Sequence, residues 1–162
     1  MKPDELLANA IIPALTALNL DSPQARHQLL AIALQESGLK HRRQVTSTGK
    51  EDGPAVSFWQ FEKGGGCKGV LTHIATQGRM RAACATHGVE ATPAALWEAM
   101  KTNDVLGAIA ARLLLYTLPQ PLPMASVDGW NQYIAAWRPG KPHPGKWADN
   151  WHEAGRAVRG FV

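Results

Sequence analysis

The strongest candidate for a catalytic residue is a glutamate at the end of an apolar stretch. Glu36 follows the run Leu29–Leu34 and precedes Ser37, and an aromatic segment, Ser57–Phe61, comes later in the chain. Burial against apolar and aromatic groups disfavours the charged form of a carboxyl group, so its pKa rises and it stays protonated near neutral pH. The negative end of a helix dipole acts in the same direction. Such an acid suits the cleavage of a glycosidic bond.

A second acidic group would decide how that bond is cut. The candidates are Glu51, Asp52 and Glu62. Asp52-Gly53 is more typical of a turn, and Glu62 is close in sequence to Gln60. A glycoside hydrolase uses a second carboxylate as a nucleophile or as a base that activates water.

The elements that must position Glu36 are helices. Ser22-Pro23 pairs an N-cap serine with a proline at the first helical position, and Gly38 is a helix stop, so Glu36 falls in the last turn. Thr92-Pro93 repeats the start signal, opening a helix through about Lys101, and Asn103-Asp104 opens the next one. We expect further helices over 6–18 with a kink at Pro13, and over 67–77, 80–87, 127–137 and 148–159.

The region between Gly38 and Ser57 is predicted to be mostly loop. Val56–Trp59 is strand-like, which allows a short β-hairpin around residues 44–60, and Gly64–Gly66 is expected to form a flexible turn before a helix. The pattern therefore predicts a mainly α fold in a single domain over residues 1–162, with room for that hairpin.

Composition narrows the class of protein. Apolar residues make up 45% of the chain, enough for a real core, and no apolar run reaches the length needed to span a bilayer. The N-terminus, with Asp4 and Glu5, lacks the shape of a secretory signal, so we expect synthesis in the cytoplasm. The net charge of +4 favours anionic partners.

Several other sites are weakly indicated or excluded. Lys40–Arg43 is the one dense basic cluster, and it fits a solvated turn as well as a nucleic-acid patch. Cys67 and Cys84 show no metal-like spacing and are expected to be free thiols, and the six histidines show no zinc-type pairing. We therefore expect no metal, no cofactor and no nucleic-acid partner.

Three motifs stand in a familiar order: Glu36-Ser37 at a helix end, then Ser57–Gln60, then Ala136–Gly140 after a later helix. In this order the chain resembles the lysozyme-like superfamily, specifically its soluble lytic transglycosylase branch and related phage lysins, over residues 22–145. The resemblance implies a lysozyme-like helical domain with Glu36 as the catalytic acid. It also implies a single-glutamate route, in which the C6 hydroxyl of the sugar closes onto C1 and gives a 1,6-anhydro product.

The chain departs from that family at three positions. Ser57 stands where the second motif has glycine, Trp137 where the third has tyrosine, and Arg138 where it has asparagine. The family's tyrosine hydroxyl would lie near the acid, and an indole has only an N–H to donate. Tyr133, one helical turn before Trp137, is the expected substitute.

Six further residues are candidates for substrate binding. Ser37 could bond the carboxyl group or merely help end its helix, and Gln60 could hold an N-acetyl or hydroxyl group of a sugar. Among the aromatic residues of the second motif, Trp59 is expected in a saccharide cleft and the others mainly in the core. The full set comprises Ser37, Trp59, Gln60, Glu62, Tyr133 and Trp137.

The resemblance predicts a muramidase that cleaves the MurNAc–GlcNAc bond of peptidoglycan, acts as a monomer, and reaches the cell wall with a pore-forming partner or as part of a virion. Two alternatives stay open. One is a lysozyme-like component of a virion or secretion system that binds glycan without cutting it. The other is a hydrolytic lysozyme that uses a second carboxylate.

Overall fold

The structure is a computed structural model that describes residues 1–161. It is mainly helical with one small antiparallel sheet, which confirms the predicted fold class and the presence of a short hairpin. The elements in chain order are α1 Pro3–Leu6, a π-helical segment Leu7–Ile11, α2 Ile12–Leu18, α3 Pro23–Ser37, β1 Ala55–Val56, β2 Phe61–Glu62, a second π-helical segment Lys63–Cys67, α4 Lys68–Thr72, α5 Gln77–Thr86, α6 Pro93–Met100, α7 Asp104–Tyr116, α8 Ser126–Trp137 and α9 Pro144–Arg159.

Helix α3, which carries Glu36, begins and ends where its sequence signals predict. The Ser22 hydroxyl accepts a hydrogen bond from the Ala25 N–H at 3.1 Å, and Gly38 adopts a φ of 60° as the C-cap. The middle of the helix, Gln28–Leu34, is buried, and the helix packs most extensively against α9. At its C-terminal end, Gln35 donates to the carbonyl of His143 and accepts from Asn150. The turn that carries Glu36 is therefore fastened to the start of α9.

The N-terminal helix accommodates Pro13 without a break. A proline lacks an N–H and crowds the carbonyl four residues earlier, here that of Asn9. The chain widens into the π-helical segment Leu7–Ile11 immediately before the proline, and the Ile12 N–H donates to the carbonyl of Leu7. Pro13 then lies in the first turn of α2, where a missing donor costs little.

The hairpin occupies the end of the predicted range 44–60 and extends two residues beyond it. Ala55 pairs with Glu62 and Val56 with Phe61, so residues 57–60 are the turn and not part of a strand. Ser57 and Gln60 have φ values of 71° and 54°, which end the strand-like geometry at Val56. A bridge between Arg43 and Val56 extends the pairing toward the preceding loop.

Other helix boundaries also differ from the predictions. The triple glycine is not a loose turn, because it lies within the π-helical segment Lys63–Cys67 that runs directly into α4. The helix predicted over 67–77 ends at Thr72, the one predicted over 80–87 begins at Gln77, and α9 begins at Pro144 and not at residue 148. The caps at Thr92 and Asn103 are as predicted, with each side chain accepting a backbone N–H.

The core is a cluster of buried apolar side chains drawn from all parts of the chain. Helix α7 is its most thoroughly buried contributor, with Leu106–Leu113 enclosed. Cys67 and Cys84 are free thiols within this core. Within residues 1–161 no helix combines the length and the hydropathy that a bilayer crossing requires.

One glycine in this packing generates a stability prediction. A Cβ at Gly129 would lie 2.5 Å from Cζ3 of Trp151, at the contact between α8 and α9. The Gly129→Ala variant is expected to lose about 1–3 kcal/mol in the free energy of unfolding, measured by urea denaturation, because the indole cannot move aside without disturbing the core.

Gly78→Ala is the matched control, since it also lies in a helix but has nothing within 4 Å of an added Cβ. It should gain up to about 1 kcal/mol from helix propensity. Equal effects of the two substitutions would contradict the packing described between α8 and α9.

Candidate active site

Glu36 lies in the last turn of α3 and meets a tyrosine from α8. The Tyr133 hydroxyl donates a hydrogen bond to Oε1 of Glu36 at 2.6 Å, and Tyr133 itself is only 3% exposed. The expected substitution of this hydroxyl for the missing tyrosine at position 137 is therefore present in the structure. Within residues 1–161 no side chain or backbone group donates to the other carboxyl oxygen, Oε2.

Two opposing effects set the protonation of Glu36. Burial raises the pKa of the Glu36 carboxyl above its ordinary value, and the hydrogen bond from Tyr133 lowers it by a smaller amount. The pKa of Tyr133 is itself raised far above its ordinary value, chiefly by burial and also by the Glu36 charge and their hydrogen bond. Tyr133 therefore keeps its proton and donates, and the Glu36 carboxyl group gives up its proton less readily than an exposed glutamate does.

An aromatic wall fixes the Tyr133 ring. Trp147 of α9 stacks on it with an interplanar angle of 6° and a centroid distance of 5.5 Å, and Trp130 packs against it at 5.5 Å. The Trp147 indole N–H donates to the carbonyl of Ser126 at 2.8 Å, which anchors the stack to the start of α8. Because Trp147 is held in this way and Tyr133 packs between two indole rings, the hydroxyl has little freedom to leave the carboxyl group.

A groove runs past Glu36. It consists of a cavity of about 610 Å³ and an adjoining one of about 340 Å³. Five residues line both parts: Glu36, Gln44, Gln60, Pro139 and Lys141. The larger cavity is also bordered by the hairpin, by the glycines at 64–66 and by the loop after α8. A space of this size can take part of a polymer chain, with the carboxyl group in its wall.

Gln60 and Glu62 lie in this groove as predicted. Gln60 is half-buried and lines both cavities, and its amide nitrogen donates to the Ser57 carbonyl at 2.8 Å. That bond aims the Gln60 side chain and leaves its carbonyl oxygen available to a ligand. Glu62 is exposed and lines the larger cavity.

The expectation that Trp59 contacts substrate is wrong. Trp59 is 0% exposed, and its indole N–H donates to the carbonyl of Leu29 at 2.8 Å, so it joins the hairpin turn to α3 inside the core. Phe61 is also buried but contributes to the cavity wall. Trp137 does line the larger cavity, and its N–H donates to the Trp59 carbonyl at 2.8 Å. Of the two tryptophans, the one on α8 therefore faces the groove.

The sequence left two roles open for Ser37, bonding the carboxyl group or ending the helix, and the structure shows the second. Its hydroxyl donates to the Ala33 carbonyl at 2.9 Å and accepts from the Leu39 N–H at 3.2 Å, so it closes the helix end. It makes no hydrogen bond to Glu36, although it borders the smaller cavity. The expected contact of Ser37 with substrate stays a prediction.

The other candidate acids lie elsewhere. Glu51 pairs with His41 at 2.8 Å, and Asp52 accepts a hydrogen bond from the Thr46 hydroxyl at 2.9 Å. Among the residues that the structure describes, Glu36 and Glu62 are the carboxylates that line the groove.

The basic cluster at Lys40–Arg43 is largely engaged within the protein. Arg42 forms a bidentate pair with Asp104 at 2.8 Å, and Arg43 donates to the carbonyls of Gly53 and Asp52. This pairing favours the interpretation of the cluster as a structural turn. No group of metal-ligating side chains is found within residues 1–161.

Sequence reasoning missed several residues of the groove, namely Gln44, Arg138, Lys141 and the glycines at 64–66. The Pro/Gly-rich composition of 138–145 was the available signal for the loop. For the glycines the signal is steric, since a Cβ at Gly66 would lie 2.8 Å from Cδ2 of Phe61. A side chain there would displace the ring that forms the wall.

Comparisons with known proteins give no further assignment. No protein-family model matches the chain, and neither the curated proteins nor the solved structures provide a match. The functional argument therefore depends on the geometry of the groove and on the motif order.

Glu36 should make stability depend on pH in a particular direction. Because its pKa is raised in the folded state, the folded chain holds a proton that the unfolded chain has lost, and stability falls as pH rises from the ordinary glutamate pKa through the raised one. Glu36→Gln keeps an acceptor for Tyr133 and cannot ionise. The stability of this variant relative to the parent, measured as the difference in free energy of unfolding by urea denaturation, should therefore be greater near pH 8 than near pH 4.

Glu90→Gln, at an exposed position outside the groove, is the control and should show no such trend. An identical pH dependence for Glu36→Gln and the unmodified chain would mean that Glu36 ionises as easily in the fold as in the unfolded chain.

Proposed function

We propose that this protein is a peptidoglycan-cleaving enzyme that cuts the β-1,4 bond between MurNAc and GlcNAc with Glu36 as its general acid. The observation that carries the proposal is the state of that carboxyl group. It is buried enough to have a raised pKa, held at Oε1 by Tyr133, and placed in the wall of a groove.

In the proposed reaction a glycan strand lies along the groove, and Oε2 of Glu36 gives its proton to the glycosidic oxygen as the C1–O bond breaks. The Glu36 carboxylate that results is stabilised by the Tyr133 hydroxyl. Glu36 then removes the proton from the C6 hydroxyl of the same sugar, whose oxygen closes onto C1. The proton returns to Glu36, no water is consumed, and the product ends in a 1,6-anhydro ring.

The motif order supports this proposal. Trp137, which stands where the lysozyme-like family has tyrosine, ties the third motif to the second through the Trp59 carbonyl. Tyr133, one turn earlier, supplies the hydroxyl to the acid. The departure at 137 therefore leaves the acid with a hydroxyl partner, which favours an enzyme over a lysozyme-like domain that only binds glycan.

A hydrolytic lysozyme is the second candidate, and Glu62 is the observation that favours it. This exposed carboxylate lies in the same cavity as Glu36 and would serve as the base for water or as the nucleophile. The anhydro route remains our first proposal because it needs only Glu36. In a cell, such an enzyme would act on the wall as a monomer, delivered through a pore-forming partner or within a virion.

Digestion of purified peptidoglycan tests the proposal, with the fragments identified by mass spectrometry. The protein is expected to release fragments that end in anhydro-muramic acid, and Glu36→Gln should lose about 10²–10⁴-fold in rate. Glu62→Gln should keep most of the rate if Glu36 acts alone. Reducing-end muramic acid together with a loss of rate in Glu62→Gln would establish the hydrolase instead.

The result that contradicts both enzymatic routes is retention of the protein on peptidoglycan with no released fragments. Unchanged cleavage by Glu36→Gln would remove Glu36 from the role of acid.

A further inference from the structure

Two exposed cations line the groove without an acidic partner among residues 1–161, whereas Arg43, which borders the smaller cavity, is half-buried and donates to backbone carbonyls. Arg138 and Lys141 border the larger cavity, and Lys141 borders the smaller one as well. Both residues are exposed, and neither takes part in a salt bridge with any residue in 1–161. Elsewhere in the fold, Arg26 and Arg42 are paired with aspartates. The charges of Arg138 and Lys141 are therefore available to a ligand.

The backbone at Arg138 gives a second reason to look for a role. Arg138 is the C-cap of α8, with a φ of 46°, and its N–H donates to the Ile134 carbonyl at 3.0 Å. Glycine or asparagine would take this left-handed conformation at a lower energetic cost than arginine. A long cationic side chain is nevertheless present, at the edge of the groove and just before the stiff Pro139.

These cations do not set the protonation of Glu36. A positive charge close to a carboxyl group would lower its pKa, whereas the pKa of Glu36 is raised, with burial and the Tyr133 hydrogen bond as its causes. Arg138 and Lys141 line the same groove as the acid, and within residues 1–161 neither forms a hydrogen bond or salt bridge with it. Such a position suits contact with a part of the substrate other than the bond being cut.

We infer that Arg138 and Lys141 bind the carboxylates of the peptide attached to muramic acid, so that the groove takes peptide-substituted, anionic glycan in preference to neutral glycan. The inference rests on the proposed function. The sugar backbone of chitin-like strands carries no charge, whereas the peptides of peptidoglycan carry free carboxylates. A guanidinium group binds such a carboxylate with two parallel hydrogen bonds, and the lysine adds a mobile point charge. Glu62, the one exposed carboxylate on the groove, would oppose an anion near the hairpin and so directs it toward the loop 138–141.

A binding experiment tests this independently of cleavage. The Glu36→Gln protein, which should bind without cutting, is mixed at low salt with insoluble peptidoglycan, with the same material after its carboxylates are converted to neutral amides, and with chitin. Binding to native peptidoglycan should be about three- to thirtyfold tighter than to the amidated form or to chitin, in the range of two exposed charge contacts. Added salt should reduce that advantage.

Adding Arg138→Gln and Lys141→Gln should remove the preference and leave the weaker binding to amidated material unchanged. Lys68→Gln with Arg81→Gln is the charge-matched control, because both residues are exposed and neither borders the groove. The control should keep the preference.

Equal binding of native and amidated peptidoglycan, or equal loss of preference in both double variants, would overturn the inference. These outcomes are separate from a failure of the proposed function, which would appear as tight, charge-dependent binding by the unmodified protein with no cleavage.

Discussion

The site depends on one contact, the hydrogen bond from Tyr133 to Glu36 between α8 and α3. The surroundings of this contact have opposing effects on the pKa of Glu36. Bringing the carboxyl group to a buried position raises its pKa, and the hydroxyl that meets it there limits the rise. The balance yields an acid whose pKa is raised and whose anion, once the proton leaves, accepts a hydrogen bond from Tyr133. A carboxyl group buried without such a partner would be a poor proton donor, because its anion would have no stabilisation.

Much of the remaining architecture serves to keep this contact in place. Gln35 fastens the end of α3 to α9, and Trp147 of α9 stacks on the Tyr133 ring, so the same helix supports both partners. The hairpin is tied to α3 by the Trp59 indole and to α8 by the Trp137 indole. Left-handed backbone conformations occur at Gln60 and Arg138, which both line the groove. Strain of that kind persists only where the surroundings impose it, and it often accompanies functional sites.

The parts of the fold that local chemistry dictates were predictable from the sequence. The cap at Ser22, the stop at Gly38 and the caps at Thr92 and Asn103 operate within a few residues, and each is where it was expected. Glu36 was identifiable because a helix end, an apolar face and a later aromatic segment all pointed to a buried acid. The resemblance implied a hydroxyl near the acid, and helical spacing relative to Trp137 pointed to Tyr133 as its source.

The misplaced features depend on long-range packing. Trp59 was expected to bind sugar because an aromatic side chain suits a saccharide cleft. Its indole N–H instead donates to the Leu29 carbonyl of α3, inside the core. The hairpin register could not be read from Val56–Trp59, since the positive φ values at Ser57 and Gln60 are imposed by the turn and not by residue type. The glycines at 64–66 lie in a π-helical segment that packs against Phe61. No local sequence pattern predicts that packing. Arg138 and Lys141 reach the groove only because the loop after α8 folds back over it.

The most direct test of the central claim is a titration of the Glu36 side-chain carboxyl carbon by NMR, in the unmodified protein and in Tyr133→Phe. The structure predicts a Glu36 pKa above the ordinary value of 4.5 in the unmodified protein, and a still higher pKa once the hydroxyl is removed. A pKa at or below the ordinary value, or one that does not respond to the loss of the Tyr133 hydroxyl, would contradict the account of Glu36 as a buried acid held by Tyr133.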